Sequence, residues 1–212
     1  MKLPIAPDHM YQLRNQTVTA FGYDCTNTVE YSFNSLGYRG TEFTVTDPIL
    51  ILGNSISFGI GLPYNKTFGS LLEQSLDTPV YNLAWGAYAH TNYEQLELLQ
   101  QVIQNITPKF VIWQINNLNR DRVNGAVTFN NSKEKVVKMY HQFWNDAKPI
   151  LNDLPHLLLH WDHEYYNIDF SHCLIYNEYH IDSSLETNKN TFGARSHKLI
   201  SLKILQEINE RI

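Results

Sequence analysis

The stretch Ile49-Leu50-Ile51-Leu52-Gly53-Asn54-Ser55-Ile56-Ser57-Phe58-Gly59-Ile60-Gly61 decides how the rest of the chain is read. Four branched apolar residues in a row predict a strand buried on both faces, as in the interior of a parallel sheet. Gly-Asn-Ser follows at once, then glycines at 59 and 61. Parallel α/β sheets present reactive groups at the carboxyl ends of their strands. Ser55 is expected at that edge, with backbone N–H groups around it free to meet an anion.

Downstream, apolar residues at 68, 71, 72 and 76 mark a helical face between Asn65 and Leu76, stopped by Asp77-Thr78-Pro79. A short strand, Val80 to Ala84, opens into Trp85-Gly86-Ala87-Tyr88-Ala89-His90. Tyr93 to Ile106 carries Leu96, Leu99, Val102, Ile103 and Ile106 on one side and predicts a helix. Strand Phe110 to Ile115 follows, then a polar stretch over 117–131, read as a surface loop. A long helix is expected from Ser132 to Lys148, ended by Pro149. His156 to Trp161 is read as a fourth strand, Tyr179 to Asp182 as a short fifth, and Ala194 to Ile212 as a closing helix. Strands alternating with helices imply an α/β domain whose parallel sheet is covered on both faces. Residues 1–47 are polar and aromatic and read as an irregular arm with one or two short edge strands, packed on a domain spanning 48–212.

The Gly53-Asn54-Ser55 block resembles the first sequence block of the SGNH (GDSL-type) hydrolases, Gly-Asp-Ser followed by a glycine-punctuated loop. Phe33-Asn34-Ser35-Leu36-Gly37-Tyr38-Arg39-Gly40 also resembles what stands upstream of it in that family. The resemblance implies a three-layer, flavodoxin-like fold of about five parallel strands, with Ser55 as nucleophile. Asn54 departs from the family's Asp, a nearly isosteric change that loses a charge. Asn82-Leu83-Ala84-Trp85-Gly86 resembles the second block and Gln114-Ile115-Asn116-Asn117 the third, Gly-x-Asn-Asp. Together they nominate Gly86 and Asn116, with the Ser55 N–H, as donors to an oxyanion.

The last block breaks the pattern. In the family it reads Asp-x-x-His, often followed by x-Gly-x-x-Ser/Thr-His. In Asn188-Lys189-Asn190-Thr191-Phe192-Gly193-Ala194-Arg195-Ser196-His197 the register is set by Gly193, Ser196 and His197. Asn188 then stands at the Asp position and Thr191 at the position of the catalytic His. A threonine hydroxyl accepts no proton at neutral pH, and loss of the base costs serine hydrolases on the order of a millionfold. His197 lies nearly two turns further on, where the resemblance implies a structural role. It is read as a helix residue hydrogen-bonded near the surface. A relocated base is sought in His90, or in His160 and His163 with Asp162 between them. Two readings follow: acyl-ester hydrolysis or acyl transfer through Ser55 with a non-standard base, or a dyad-less pocket that binds a small molecule or performs other chemistry.

Composition narrows the partners. A formal charge of −5 offers no electrostatic case for nucleic acid or an acidic membrane. Cys25 and Cys173 make neither a disulfide framework nor a metal set. The His160-Trp161-Asp162-His163 cluster lacks a distant third ligand and is read as a hydrogen-bonded strand end, so no metal is expected. Neither phosphate-loop pattern is present, and no cofactor is expected. With no apolar leader in residues 1–10 and no membrane-length run, the expected setting is cytoplasmic.

Overall fold

The computed structural model describes residues 3–21, 28–44, 47–86, 91–123, 126–129, 132–160, 173–175, 179–184 and 192–211. Its centre is β3 (Ile49–Leu52), with all four residues buried. Period-two alternation sends them to opposite faces. Leu50 and Leu52 join one apolar cluster, Ile49 and Ile51 the other. β4 (Val80–Asn82) and β5 (Phe110–Gln114) flank β3, and β8 (His156–His160) and β9 (Cys173–Ile175) extend the sheet beyond β5. The spatial order is β4-β3-β5-β8-β9, parallel throughout. In sequence order of those strands this is 2-1-3-4-5, the flavodoxin-like winding, and the order reverses beside β3.

The helices divide between the faces by their apolar stripes. α4 (Asn92–Ile103) buries Leu96, Leu99 and Val102, and α5 (Lys133–Leu151) buries Val136, Tyr140, Phe143 and Ala147, all in the cluster of Leu50 and Leu52. α3 (Phe68–Leu76) and α6 (Ala194–Arg211) cover the other face through Phe68, Leu72, Ile200, Ile204 and Ile208. Removing one such side chain from water contributes about 1.5–3 kcal/mol. α4 starts at a full capping box: the Thr91 hydroxyl accepts from Glu94 N–H while the Glu94 side chain accepts from Thr91 N–H.

The first 43 residues add α1 (Asp8–Tyr11) and the antiparallel pair β1 (Thr17–Phe21) and β2 (Thr28–Ser32), which form a sheet of their own rather than edges of the main one. Met10, Tyr31, Phe33, Tyr38 and Phe43 are buried in the same cluster as Leu50, and the Phe43 ring stacks on Tyr81 at 4.1 Å.

Three further expectations need correction. Residues 120–129 are a hairpin, β6 (Arg120–Val123) with β7 (Ala126–Phe129), not a loop. Val123 pairs with Ala126 across Asn124-Gly125, the dipeptide that favours two-residue hairpins. The fifth strand is Cys173–Ile175, because the polar groups near Asp182 are taken up in starting α6. α5 runs past Pro149 to Leu151. A proline in the last turn forfeits one backbone bond, and Leu151, 1% exposed, holds that turn on the core.

Candidate active site

Ser55 opens α2 (Ser55–Phe58), a single turn set directly on the carboxyl end of β3. Asn54 caps it, its side-chain oxygen accepting from Ile56 N–H at 3.0 Å. A neutral amide caps a helical turn as well as a carboxylate does. Gly59 closes the turn in the left-handed region at φ 77°, where a side chain would be strained.

The polar residues around the turn are engaged in holding it. Gln114, at the end of β5 and fully buried, accepts from Asn54 N–H at 3.2 Å, Ser57 N–H at 3.2 Å and Ser57 Oγ at 2.8 Å. Asn82, at the end of β4, donates to Ser57 O at 2.8 Å and accepts from Ala84 N–H at 3.1 Å. Trp85 N–H donates to Gly53 O at 3.2 Å. Ser55 stands apart from its neighbour Ser57. It is half-buried, and among the described residues its hydroxyl has no hydrogen-bond partner.

Gly86 follows β4, and its Cα lies against the Phe58 ring: a Cβ there would stand 2.6 Å from Phe58 Cδ1. Asn116 follows β5, fully buried. Its N–H donates to Asn92 Oδ1 at 2.7 Å, and Asn92 Nδ2 reaches back to Asn116 O at 3.4 Å. Ser55, Gly86 and Asn116 therefore stand at the carboxyl ends of three adjacent parallel strands. The loops that carry Ser55 and Gly86 are joined through Trp85 and Asn82, and the Ser55 turn is joined to β5 through Gln114.

The arm grips the same loop from outside. Arg39, 1% exposed, donates to Phe58 O at 2.8 Å and Gly59 O at 2.7 Å, and also to Leu62 O. Its guanidinium lies 4.4 Å above the Tyr31 ring, and Tyr31 Oη accepts from Gly61 N–H at 2.6 Å. Burial lowers the Arg39 pKa to about 10, with Tyr31 and Tyr64 acting against the shift, so the group stays charged at neutral pH.

His197 is not a base. It is buried rather than near the surface, stacks on Phe68, and its Nδ1 accepts from Phe68 N–H at 3.0 Å at the start of α3. Burial, followed by the charge of Arg39, pushes its pKa down to about 3, with Asp182 opposing. Asp182 starts α6, accepting from Arg195 N–H at 3.0 Å, Ser196 N–H at 2.8 Å and Ser196 Oγ at 2.6 Å. Burial works to raise its pKa, but those bonds and the Arg195 charge outweigh it and hold the carboxyl below its ordinary value. Gly193, whose N–H donates to Asp182 O, leaves room for that carboxylate. The three residues that set the register of the last block are thus a single helix start.

His160 ends β8, fully buried. Leu158 belongs to the α4/α5 cluster and Leu159 to the α3/α6 cluster, so alternation turns His160 toward the α4/α5 layer. Asn188, Thr191, His90, Asp162 and His163 lie outside the described residues. Among the described residues no group of His, Cys, Asp and Glu is arranged to hold a metal, and no helix is long and apolar enough to cross a membrane. Trp113 is core, its Nε1 donating to Gln95 at 2.6 Å.

No family model matches the sequence, and no curated protein matches it. Solved structures do. TesA, 13% identical, aligns over 78% of this chain and all of its own, with a TM-score of 0.54. A carbohydrate esterase whose active site displays divergent catalytic and non-catalytic binding functions is 12% identical over 81% of this chain and 67% of its own, TM-score 0.54. A lipolytic protein of the G-D-S-L family from Desulfitobacterium hafniense is 14% identical over 75% of this chain and 98% of its own, TM-score 0.51. The fold is that of the SGNH (GDSL-type) hydrolases. On this SGNH fold, Gln114 stands where the third-block pattern has glycine, and its side chain does local work that a glycine leaves to others. Arg39, Asn82, Asn92 and Asp182 were likewise missed as site-building residues. A polar residue closing each of two apolar strands was the available signal for Asn82 and Gln114, and the upstream block for Arg39.

Proposed function

We propose that the protein carries out acyl-ester chemistry, hydrolysis or acyl transfer, through Ser55, with a base other than the family's histidine. The observation that carries this reading is the contrast between Ser55 and the residues around it. Asn54, Ser57, Asn82 and Gln114 are consumed in building the turn, whereas the half-buried Ser55 hydroxyl, at the start of a helical turn, has no hydrogen-bond partner among the described residues. The N–H groups of Asn54, Ile56 and Ser57 are already bonded within the turn, so it is the Ser55 N–H that this reading gives to developing negative charge. Gly86 and Asn116 supply the further donors in this proposal. The base comes from His90, or from His160 or His163 with Asp162.

A second reading, a pocket that binds an ester or related small molecule without turning it over, is favoured by one specific observation. His197, the histidine nearest in sequence to Thr191, is held neutral against Phe68 and so does not stand in for the base that the resemblance implies there. Hydrolysis of p-nitrophenyl acetate by wild type and Ser55→Ala separates the two. The first reading expects turnover above background that falls at least a hundredfold in Ser55→Ala. Equal rates in the two proteins leave the binding reading.

A further inference from the structure

Beside the Ser55 edge, the carboxyl-end mouth between α4 and α5 holds a cleft of about 390 Å³, within the range of small-molecule sites. Tyr93, Leu118, Tyr140 and Phe143 give it apolar and aromatic walls, and Arg120, the first residue of the β6–β7 hairpin, lines its rim. Arg120 N–H donates to Asn117 O at 3.1 Å, which fixes where the hairpin leaves the sheet edge. Its side chain is half-buried. Nε is enclosed without a hydrogen-bond partner, and no ion pair reaches the guanidinium among the described residues.

Arg39 shows how this chain treats a guanidinium that serves the fold: its Nε is likewise enclosed without a partner, but three carbonyl oxygens and an aromatic ring receive its terminal nitrogens. Arg120 has no such reception among the described residues, although half-burying a charge works against folding. A planar fork of donors that lines one cleft with apolar and aromatic side chains matches a carboxylate on an apolar body. Two acids share the cleft, Glu94 and Glu97. Glu94 Oε2 is committed to the capping box, accepting from Thr91 N–H at 2.8 Å and Thr91 Oγ1 at 3.1 Å, and Glu97 is exposed. Their charges count against a dianion such as phosphate and leave a single carboxylate as the better match.

We propose that Arg120 and the α4–α5 cleft form a binding site for a small monocarboxylate with an apolar or aromatic body. Asn92 lines the cleft and also holds the Asn116 backbone, so an occupant meets the residue that positions a candidate oxyanion donor. The site stands whether or not Ser55 is reactive.

Benzoate, benzamide and inorganic phosphate are titrated by NMR into wild type, Arg120→Gln, Arg120→Lys and Ser55→Ala. Saturable benzoate binding is expected, at least tenfold tighter than benzamide and tighter than phosphate. Arg120→Gln should weaken benzoate tenfold or more and leave benzamide unchanged, with Arg120→Lys in between. Ser55→Ala should bind benzoate as wild type does, which separates this site from the chemistry proposed for Ser55. Absence of saturable benzoate binding, benzamide binding as tightly, phosphate binding more tightly, or indifference to Arg120→Gln would each overturn the proposal. The benzoate–benzamide comparison on wild type decides the matter even if a variant folds poorly.

Discussion

Gln114 carries more of the candidate site than its place in the sequence suggests. One amide oxygen takes Asn54 N–H, Ser57 N–H and Ser57 Oγ. Gln114→Met keeps the volume and leaves three buried donors unanswered, so a loss of about 2–4 kcal/mol in urea unfolding is expected. Wild-type stability within 1 kcal/mol would show that the turn stands without that acceptor. His197 makes a separate prediction through pH. Its folded pKa of about 3 lies below the ordinary 6.5, so below pH 6.5 the unfolded chain binds a proton that the folded one does not. Stability therefore rises with pH across this window and falls on acidification, by roughly 2 kcal/mol between pH 7 and pH 5. The Asp182 carboxyl, held below 3.8, loses its contribution only in stronger acid. Unfolding measured from pH 7 to 5 should lose most of its slope in His197→Asn; an equal slope in that variant assigns it elsewhere. The place of residues 55, 86 and 116 after successive buried strands could be read from the sequence, because each follows a short apolar run in its own block. What Gln114 and Arg39 do could not be read, because their partners lie 57 to 60 and 19 to 23 positions away.

Among the elements, the helices and buried strands were legible because burial imposes a period. Ile49–Leu52 is a continuous apolar run, Phe110–Gln114 is one but for its last residue, and α5 places a buried residue every third or fourth position. The β6–β7 hairpin was not, since its exposed Phe129 and its alternating charges carry no burial signal. The fifth strand was misplaced for a related reason: Cys173–Ile175 is only three residues, too short for a pattern, while Tyr179 to Asp182 imitates one. The start of α6 offers a test at this scale. Asp182 lies twelve residues before the helix and still caps it, so Asp182→Ala should lower stability by about 1–2 kcal/mol and Asp182→Asn by less. Thermal unfolding decides it, and an unchanged midpoint in Asp182→Ala would show that Ser196 and Gly193 start the helix unaided.

At the scale of the molecule, the chain leaves β3 and β5 toward opposite faces of the sheet, beside the order reversal, and there the Ser55 turn and Asn116 stand. That much follows from strand order, and the sequence blocks arrive at those ends in the same succession. By the register that the resemblance implies, the proton relay does not come with them: Asn54, Asn188 and Thr191 are neutral at its expected positions. The central claim is that the oxyanion and nucleophile scaffold is intact and that only the base has moved or gone. Its most direct test is the rate of p-nitrophenyl acetate hydrolysis by Asn188→Asp/Thr191→His, alone and combined with Ser55→Ala. The account predicts a gain over wild type of roughly several powers of ten, abolished by Ser55→Ala. A folded double variant whose introduced imidazole lies beside Ser55, and which hydrolyses the ester no faster than its Ser55→Ala control, would contradict it.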